Sequence, residues 1–221
     1  MGNVIEFIPY VRCCMTENVI FDFGQVLCRF EPEAIVSALC PEATESEREI
    51  LCRVAFDRRF WDRLDRGEEN AEVLPDICAA LPESLSDYAG RILDGWIWVL
   101  PEIPGMRVLV SRLISAGVRV YLLSDISRRF ARHAGEIPIL HGFSGMVFSG
   151  ECGYTKPSDE IFRILITKYG IDPVKSVFID DKQANIDGAA RAGISGFRFM
   201  GDAGGVYDFL KDKIPTLRAE K

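Results

Sequence analysis

Short apolar runs alternate with amphipathic segments along most of this chain. The first run, at residues 18–21, is rich in β-branched and aromatic side chains, which favours a buried parallel strand. It stops at Asp22, and the chain continues Phe23-Gly24-Gln25. A carboxylate at the carboxyl end of such a strand lies where open α/β sheets bind ligands. A turn-capping role is the alternative, because Asp and Gly both favour turns.

A block of helical segments follows, with no strand-like alternation for about seventy residues. Amphipathic periodicity predicts helices over 31–40, 46–56, 58–64, 71–81 and 86–99. Thr44 and Glu47 have the spacing of a capping box, which marks a helix start. Pro101, Pro104 and Gly105 form a stiff break. The block is therefore predicted to be an insertion into a domain that resumes after this break.

The second half of the chain alternates strand and helix. Strands are predicted over 118–123, 145–149, 176–179 and 196–199, and helices over 106–116, 126–133, 159–169 and 185–192. Ser158 is the predicted N-cap of the 159–169 helix. This alternation predicts an α/β fold, a doubly wound (Rossmann-like) parallel sheet core with an inserted small all-helical cap. The predicted division is an N-terminal extension of unknown role at 1–16, a core at 17–30 and 103–221, and the cap at 31–102.

Composition narrows the function classes. The chain has 221 residues, 48% of them hydrophobic, and a formal net charge of −7, which argues against a nucleic-acid binder with a basic surface. The apolar runs are only a few residues long, too short to span a membrane. Seven scattered cysteines without a CxxC pair argue against a zinc site and favour reduced thiols in a cytoplasmic protein.

Polar residues stand at the ends of three predicted strands. Asp22 ends the first, Ser124-Asp125 the second, and Asp180-Asp181 the strand at 176–179. In a parallel sheet these ends share one edge, so the groups can converge on one crevice. Clustered carboxylates repel one another unless a cation is present, and hard oxygen ligands suit Mg²⁺. With Lys156 as a phosphate partner, the set describes phosphoryl transfer through an aspartyl-phosphate.

These motifs resemble those of the haloacid dehalogenase-like (HAD) hydrolase superfamily, in particular its small-capped sugar phosphatases. The resemblance covers about residues 17–200. It rests on four motifs in the family's order, which are Phe21-Asp22-Phe23-Gly24-Gln25-Val26-Leu27, Leu122-Leu123-Ser124-Asp125, Lys156-Pro157 and Phe178-Ile179-Asp180-Asp181.

The resemblance implies a role for each motif residue. Asp22 would be the nucleophile, assisted by Lys156 and Ser124, and it would also bind Mg²⁺. Ser124, Asp125 and Lys156 would bind the phosphate. Gly24 would offer its backbone carbonyl to the metal, Asp180 would bind the metal directly, and Asp181 would act through a water or as an anchor.

One position departs from the family pattern. Phosphatases of this superfamily usually carry a second aspartate two residues after the nucleophile, as general acid and base, and here that residue is Gly24. General acid–base help is worth about 10²–10⁴-fold in rate. A leaving group of low pKa, such as the anomeric oxygen of a sugar-1-phosphate, would need less protonation. Asp125 and Gln25 are the candidate substitutes.

The leading hypothesis is a Mg²⁺-dependent phosphatase for a small phosphorylated metabolite, acting as a monomer or homodimer without nucleic-acid or membrane partners. In the cap, the substrate contacts would come from Arg58, Phe60 and Trp61, whose alternative role is to form the cap's own core. Two other functions stay open. One is a catalytically impaired phosphate-binding or regulatory protein, and the other is a metal-free haloacid dehalogenase, against which the Asp180-Asp181 pair argues.

Overall fold

The computed structural model describes residues 15–218, so most of the predicted N-terminal extension lies outside the described residues. Five parallel strands form one sheet in the order β3-β2-β1-β4-β5. Their bounds are β1 Asn18–Phe21, β2 Arg119–Ser124, β3 Gly145–Phe148, β4 Ser176–Asp180 and β5 Ser195–Arg198. The predicted parallel sheet is confirmed.

The central strands β1, β2 and β4 are buried on both faces, which is why their sequences are largely apolar. In β1, Val19 and Phe21 pack on one side and Ile20 on the other. Helices α6 (Met106–Ser115) and α11 (Ala203–Leu210) cover the first face. Helices α9 (Asp159–Tyr169) and α10 (Gln183–Arg191) cover the second. This is the doubly wound arrangement that the alternation predicted.

The insertion between β1 and β2 is helical throughout. Its α-helices are α1 Pro32–Leu39, α2 Glu45–Ala55, α3 Arg58–Asp65, α4 Asn70–Ala80 and α5 Ser86–Gly95. The capping box at the start of α2 is present, with the Glu47 backbone N–H donating to the Thr44 hydroxyl and the Thr44 N–H to the Glu47 carboxylate. A separate apolar cluster of residues between Val36 and Leu93 forms the interior of this cap.

The insertion begins and ends at neighbouring points. The Arg29 N–H donates to the Pro101 carbonyl at 2.8 Å, and the Ile103 N–H donates to the Leu27 carbonyl at 2.9 Å. We call residues 27–29 and 101–103 the stalk. Because the two segments of the stalk are hydrogen-bonded to each other, the cap leaves and rejoins the core at one place. The predicted domain limits of 31–102 for the cap stay a prediction.

Several predicted boundaries were wrong. The 86–99 helix ends at Gly95, and a 3₁₀ turn over Trp96–Trp98 redirects the chain, so that Trp96 packs in the core cluster whereas Leu93 packs in the cap cluster. The third strand ends at Phe148, because Ser149 begins a short helix, α8 (Ser149–Cys152).

The starts of helices α7 (Arg128–His133) and α10 also differ from the prediction, whereas α9 begins at Asp159 as predicted. Helix α7 begins after Ser127, whose hydroxyl accepts from the Phe130 N–H. Helix α10 begins at Gln183 instead of residue 185. Ser158 occupies the N-cap position of α9, but its hydroxyl is buried without a hydrogen-bond partner in the described residues.

Helix α11 was missed, because Gly204 and Gly205 in its first turn lower helix propensity. The Asp202 carboxylate compensates by accepting from both of their N–H groups at 3.0 Å. Within residues 15–218, no helix is both long and apolar enough to cross a membrane.

Candidate active site

Three neighbouring strands end together at the carboxyl edge of the sheet. Asp22 follows β1, Ser124 ends β2 and Asp180 ends β4. Phe21 is in register with Ile179, so Asp22 and Asp180 stand at the same level. The chain winds outward from β1 to β3 and then returns to β4 beside β1, and this reversal is where doubly wound sheets bind ligands. The predicted convergence of the strand ends is therefore confirmed.

Lys156 joins two of these strand ends. Its Nζ atom is 2.8 Å from Asp22 Oδ1 and 2.8 Å from Asp180 Oδ2. The Phe23 N–H donates to the same Asp22 oxygen at 2.7 Å. All three charged residues are buried, so these bonds are little weakened by solvent. Asp22 is thus held in one orientation, and its Oδ2 atom receives no hydrogen bond from the described residues.

The Asp22 and Asp180 carboxylates share the Lys156 ammonium. Burial raises the pKa of Asp22 to about 7, Asp180 adds to the rise, and the Lys156 ammonium opposes it. Burial alone would lower the pKa of Lys156, but the carboxylates of Asp22, Asp180 and Asp125 outweigh it and raise that pKa. Lys156 therefore stays protonated, and a further cation would favour the ionised form of Asp22.

Asp180 is fully engaged by the protein. Oδ1 accepts from the Lys182 N–H at 2.8 Å and from Asn185 Nδ2 at 3.0 Å, and Oδ2 accepts from Lys156 and from Asn185 Nδ2 at 2.9 Å. Asn185 is buried in the first turn of α10 and was not identified from the sequence. Its spacing of five residues from Asp180, one turn into the following helix, is the signal that could have indicated this contact.

Asp181, in contrast, has an unused oxygen. Its Oδ1 atom is buried with no hydrogen-bond partner in residues 15–218. Burial and then the Asp180 charge raise the pKa of Asp181. One oxygen each from Asp22, Asp180 and Asp181 lie within 4.8 Å of one another. A buried carboxylate oxygen without a donor, next to two others, fits a hard divalent cation such as Mg²⁺.

The second strand end supplies a hydroxyl and a structural carboxylate. Ser124 is buried, and its hydroxyl makes no hydrogen bond to any described residue. Asp125 Oδ1 accepts from the Lys156 backbone N–H at 2.8 Å, which holds the Lys156 loop against the β2 end. The Ser124 hydroxyl is thus available to a ligand, and one Asp125 oxygen is already occupied.

Gly24 lies two residues after Asp22 and leaves open space. A Cβ atom at this position would meet no heavy atom within 4 Å, and the backbone angle is not in the left-handed region. The neighbouring Gln25 has a positive φ of 59°, and its Nε2 atom donates to the Phe30 carbonyl at 2.9 Å. The side chain of Gln25 is therefore committed to the loop.

The three cap residues predicted to contact substrate have different locations. Arg58 is exposed and pairs with Asp62 at 3.7 Å. Phe60 is buried in the cap cluster. Trp61 is half-buried among aromatic rings where the cap meets the core, and its indole N–H donates to the Ala55 carbonyl at 2.7 Å. For Phe60 and Trp61 these contacts favour the alternative, a packing role.

Comparison with known proteins agrees with the geometry. A sequence profile of haloacid dehalogenase-like hydrolases matches residues 16–193, which include the cap and the first four strands. This chain belongs to that family.

Its relatives include named phosphatases. It is 26% identical over 188 residues to a phosphorylated carbohydrates phosphatase of Thermotoga maritima, a match that covers 80% of this chain and 82% of the relative. It is 23% identical over 199 residues to D-ribitol-5-phosphate phosphatase of Bacteroides thetaiotaomicron, covering 83% of this chain and 92% of that protein. These names support the expected enzyme class, a phosphoric monoester hydrolase.

A solved HAD family enzyme from Bacteroides thetaiotaomicron, in complex with magnesium and inorganic phosphate, has the same fold. The TM-score is 0.64 and the sequence identity is 22%, with 86% of this chain and 98% of that chain covered. At this identity the similarity shows the fold alone.

Proposed function

We propose that this protein is a Mg²⁺-dependent phosphatase that hydrolyses a small phosphorylated metabolite through an aspartyl-phosphate intermediate. The observation that carries the proposal is the buried Asp22–Lys156–Asp180 arrangement at the topological switch point, with both Lys156 contacts at 2.8 Å. The names of the relatives favour a phosphorylated carbohydrate, so a sugar or sugar-alcohol phosphate is the proposed substrate class.

Asp22 is the proposed nucleophile. Lys156 and the Phe23 N–H fix its Oδ1 atom, so the carboxylate does not lose orientation when a phosphate group approaches. The Lys156 ammonium also partly neutralises the negative charge that collects in the transition state. The free hydroxyl of Ser124 is the proposed donor to a phosphate oxygen, and Asp125 keeps the Lys156 loop in place.

Asp22, Asp181 and the Gly24 carbonyl are the proposed Mg²⁺ ligands. Bound Mg²⁺ would neutralise phosphate oxygens and so permit an anionic carboxylate to approach an anionic ester. Asp180 was expected to be the direct ligand, but its oxygens already accept four hydrogen bonds, whereas Asp181 Oδ1 accepts none from the part of the chain that the structure describes. We therefore assign direct coordination to Asp181 and an orienting role to Asp180.

The test is phosphate release in the presence of Mg²⁺ from a panel of sugar-1-phosphates, sugar-6-phosphates, sugar-alcohol phosphates and nucleotides. Asp22→Asn should abolish turnover, and Asp87→Asn, an exposed aspartate on α5, should leave it unchanged. Acid quenching during turnover should trap a phosphorylated protein in the wild type and none in Asp22→Asn. Turnover that persists in Asp22→Asn contradicts the proposed route.

The second candidate is a phosphate-binding protein without turnover, which the absence of an aspartate at Gly24 favours. Binding of phosphate esters with no hydrolysis of any of them, in a folded protein whose melting temperature rises with Mg²⁺, would establish it. A metal-free haloacid dehalogenase would release halide from 2-haloacids without Mg²⁺. The unpaired Asp181 oxygen argues against it, since a metal-free site has no use for that buried charge.

A further inference from the structure

The proposed hydrolysis needs a group that protonates the leaving oxygen, and Gly24 carries none. The two substitutes considered from the sequence are already engaged. The Gln25 amide donates to the Phe30 carbonyl, and an amide does not ionise near neutral pH, so it cannot serve as a general acid or base. One Asp125 oxygen accepts from the Lys156 N–H and anchors that loop. The proton carrier must therefore be sought elsewhere around the site.

Asp65, the last residue of α3 in the cap, has the required properties. It is half-buried, and its carboxylate makes no hydrogen bond or ion pair with residues 15–218. The charged groups that act on it are Asp125 and Asp22 from the core loops, Lys182 before α10 and Asp62 on its own helix. Three of these four belong to the strand-end loops that form the candidate active site. Asp65 is thus a cap carboxylate within electrostatic reach of those loops.

The residues that follow Asp65 in the chain pack against the core, and these contacts fix the position of Asp65. A Cβ atom on Gly67 would lie 2.6 Å from the Gly150 carbonyl oxygen, which shows how closely this turn packs on the core. Two residues after Gly67, Glu69 forms a bidentate ion pair with Arg132 of α7, and both N···O distances are 2.8 Å. These contacts hold the end of α3 over the carboxyl edge of the sheet.

The charge state of Asp65 is suited to proton transfer. Burial raises its pKa to about 7, the charges of Asp125, Asp62 and Asp22 add to the rise, and Lys182 opposes it. Near neutral pH both the acid and the carboxylate forms are therefore populated, which is the condition for efficient general acid–base catalysis.

We propose that Asp65 is the general acid and base of this enzyme, taking the place of the aspartate absent at Gly24. The inference rests on the proposed phosphatase function. As the Asp22 oxygen bonds to phosphorus and the bond from phosphorus to the leaving oxygen breaks, the Asp65 carboxylic acid gives its proton to that oxygen. The resulting carboxylate then accepts a proton from the water whose oxygen bonds to phosphorus, and the bond to Asp22 breaks. Phosphate leaves, and Asp22 and Asp65 return to their starting forms.

The test compares two esters in wild type and Asp65→Asn. Because kcat/KM reports only the steps up to departure of the leaving group, it isolates proton donation. For an alkyl ester such as ribitol-5-phosphate, Asp65→Asn should lower kcat/KM by about 10²–10⁴-fold. For 4-nitrophenyl phosphate, whose leaving group needs little protonation, kcat/KM should fall less than about tenfold. Its kcat should still fall, with a burst of one nitrophenolate per enzyme, because the water step also loses its base.

A rescue experiment separates proton transfer from a structural or binding role. Position 24 has room for a side chain, so Gly24→Asp in the Asp65→Asn background should restore much of kcat/KM for ribitol-5-phosphate, and Gly24→Ala should not. Asp87→Asn is the matched cap control and should behave as wild type. Equal losses on the two esters, or no rescue by Gly24→Asp, would overturn the role of Asp65. Wild-type protein that hydrolyses neither ester would instead overturn the phosphatase proposal itself.

Discussion

Replacing Lys156 by methionine keeps the approximate length of the side chain and removes its charge. The ammonium is 2.8 Å from a carboxylate oxygen of both Asp22 and Asp180, and the side chain is only 1% exposed. Removing one partner of a buried ion pair typically costs about 3–5 kcal/mol, because the remaining charge stays buried without compensation. Two carboxylates lose the same cation here. We therefore expect a loss of about 4–5 kcal/mol at pH 8 without divalent cations.

The loss should depend on pH in a defined direction. The folded-state pKa of Asp22 is about 7, above its ordinary value of 3.8, and it should be higher still without Lys156. A carboxyl whose folded pKa is raised favours the folded state at low pH, and that contribution is lost as the pH rises through the folded pKa. The deficit of Lys156→Met should therefore be largest above pH 7 and should shrink toward pH 4, where the Asp22 carboxyl is protonated.

The assay is urea unfolding in EDTA, followed by the fluorescence of Trp61 and Trp96 where the cap meets the core. For a chain of this size, about 1 kcal/mol corresponds to about 2–4 °C in melting temperature, so calorimetry should show a drop of about 8–20 °C. Lys168→Met, at an exposed lysine on α9, is the control and should change stability by no more than about 0.5 kcal/mol. A Lys156→Met midpoint equal to that of wild type at pH 8 would refute the ion-pair argument.

Three further predictions follow from the structure. Asp181→Asn should leave the free energy of unfolding in EDTA unchanged or slightly raised, because a buried oxygen without a donor in the described residues loses its charge. The same change should abolish the Mg²⁺-dependent rise in melting temperature, and a rise in melting temperature equal to that of wild type would count against Asp181 as a ligand. Gly67→Ala should cost more than about 1 kcal/mol in urea unfolding, since φ is +103° and the new Cβ would lie 2.6 Å from the Gly150 oxygen; a neutral effect would mean that the turn yields easily. Ile77→Ala should cost about 2–5 kcal/mol in the same assay, because Ile77 is fully buried in the cap cluster; a loss below about 1 kcal/mol would show that the cluster collapses around the gap.

The sheet and its polar edge were predictable from the sequence because both depend on simple periodicity. Continuous apolar runs between helices indicate parallel strands buried on both faces, and the first polar residue after each run must then lie at one edge. Asp22, Ser124 and Asp180 follow from this rule without knowledge of any distance. The strand order, with β1 between β2 and β4, brings them together.

The contribution of the cap was less predictable, because an amphipathic helix does not reveal which neighbour each face meets. Phe60 was expected at the substrate and lies in the cap cluster. Asp65, one residue beyond the predicted end of its helix, is within electrostatic reach of the core loops. The partners of Asp180 and Asp181 were equally hidden. Asn185 and Lys156 both donate to Asp180 and leave an oxygen of Asp181 without a donor in the described residues. This choice between the two adjacent carboxylates is set by tertiary packing.

The stalk has a consequence for how such a protein can diversify. The two segments of the stalk are hydrogen-bonded to each other, so the inserted cap begins and ends at adjacent points of the core. Recombination could therefore replace the cap as one unit, a cassette, by changing the gene at two junctions that lie side by side in the fold. The strand ends proposed to carry the phosphate chemistry would then stay unchanged while the substrate preference changes. The proposed role of Asp65 restricts this freedom. A foreign cassette would have to bring its own proton carrier, or the recipient would have to replace Gly24 by an aspartate.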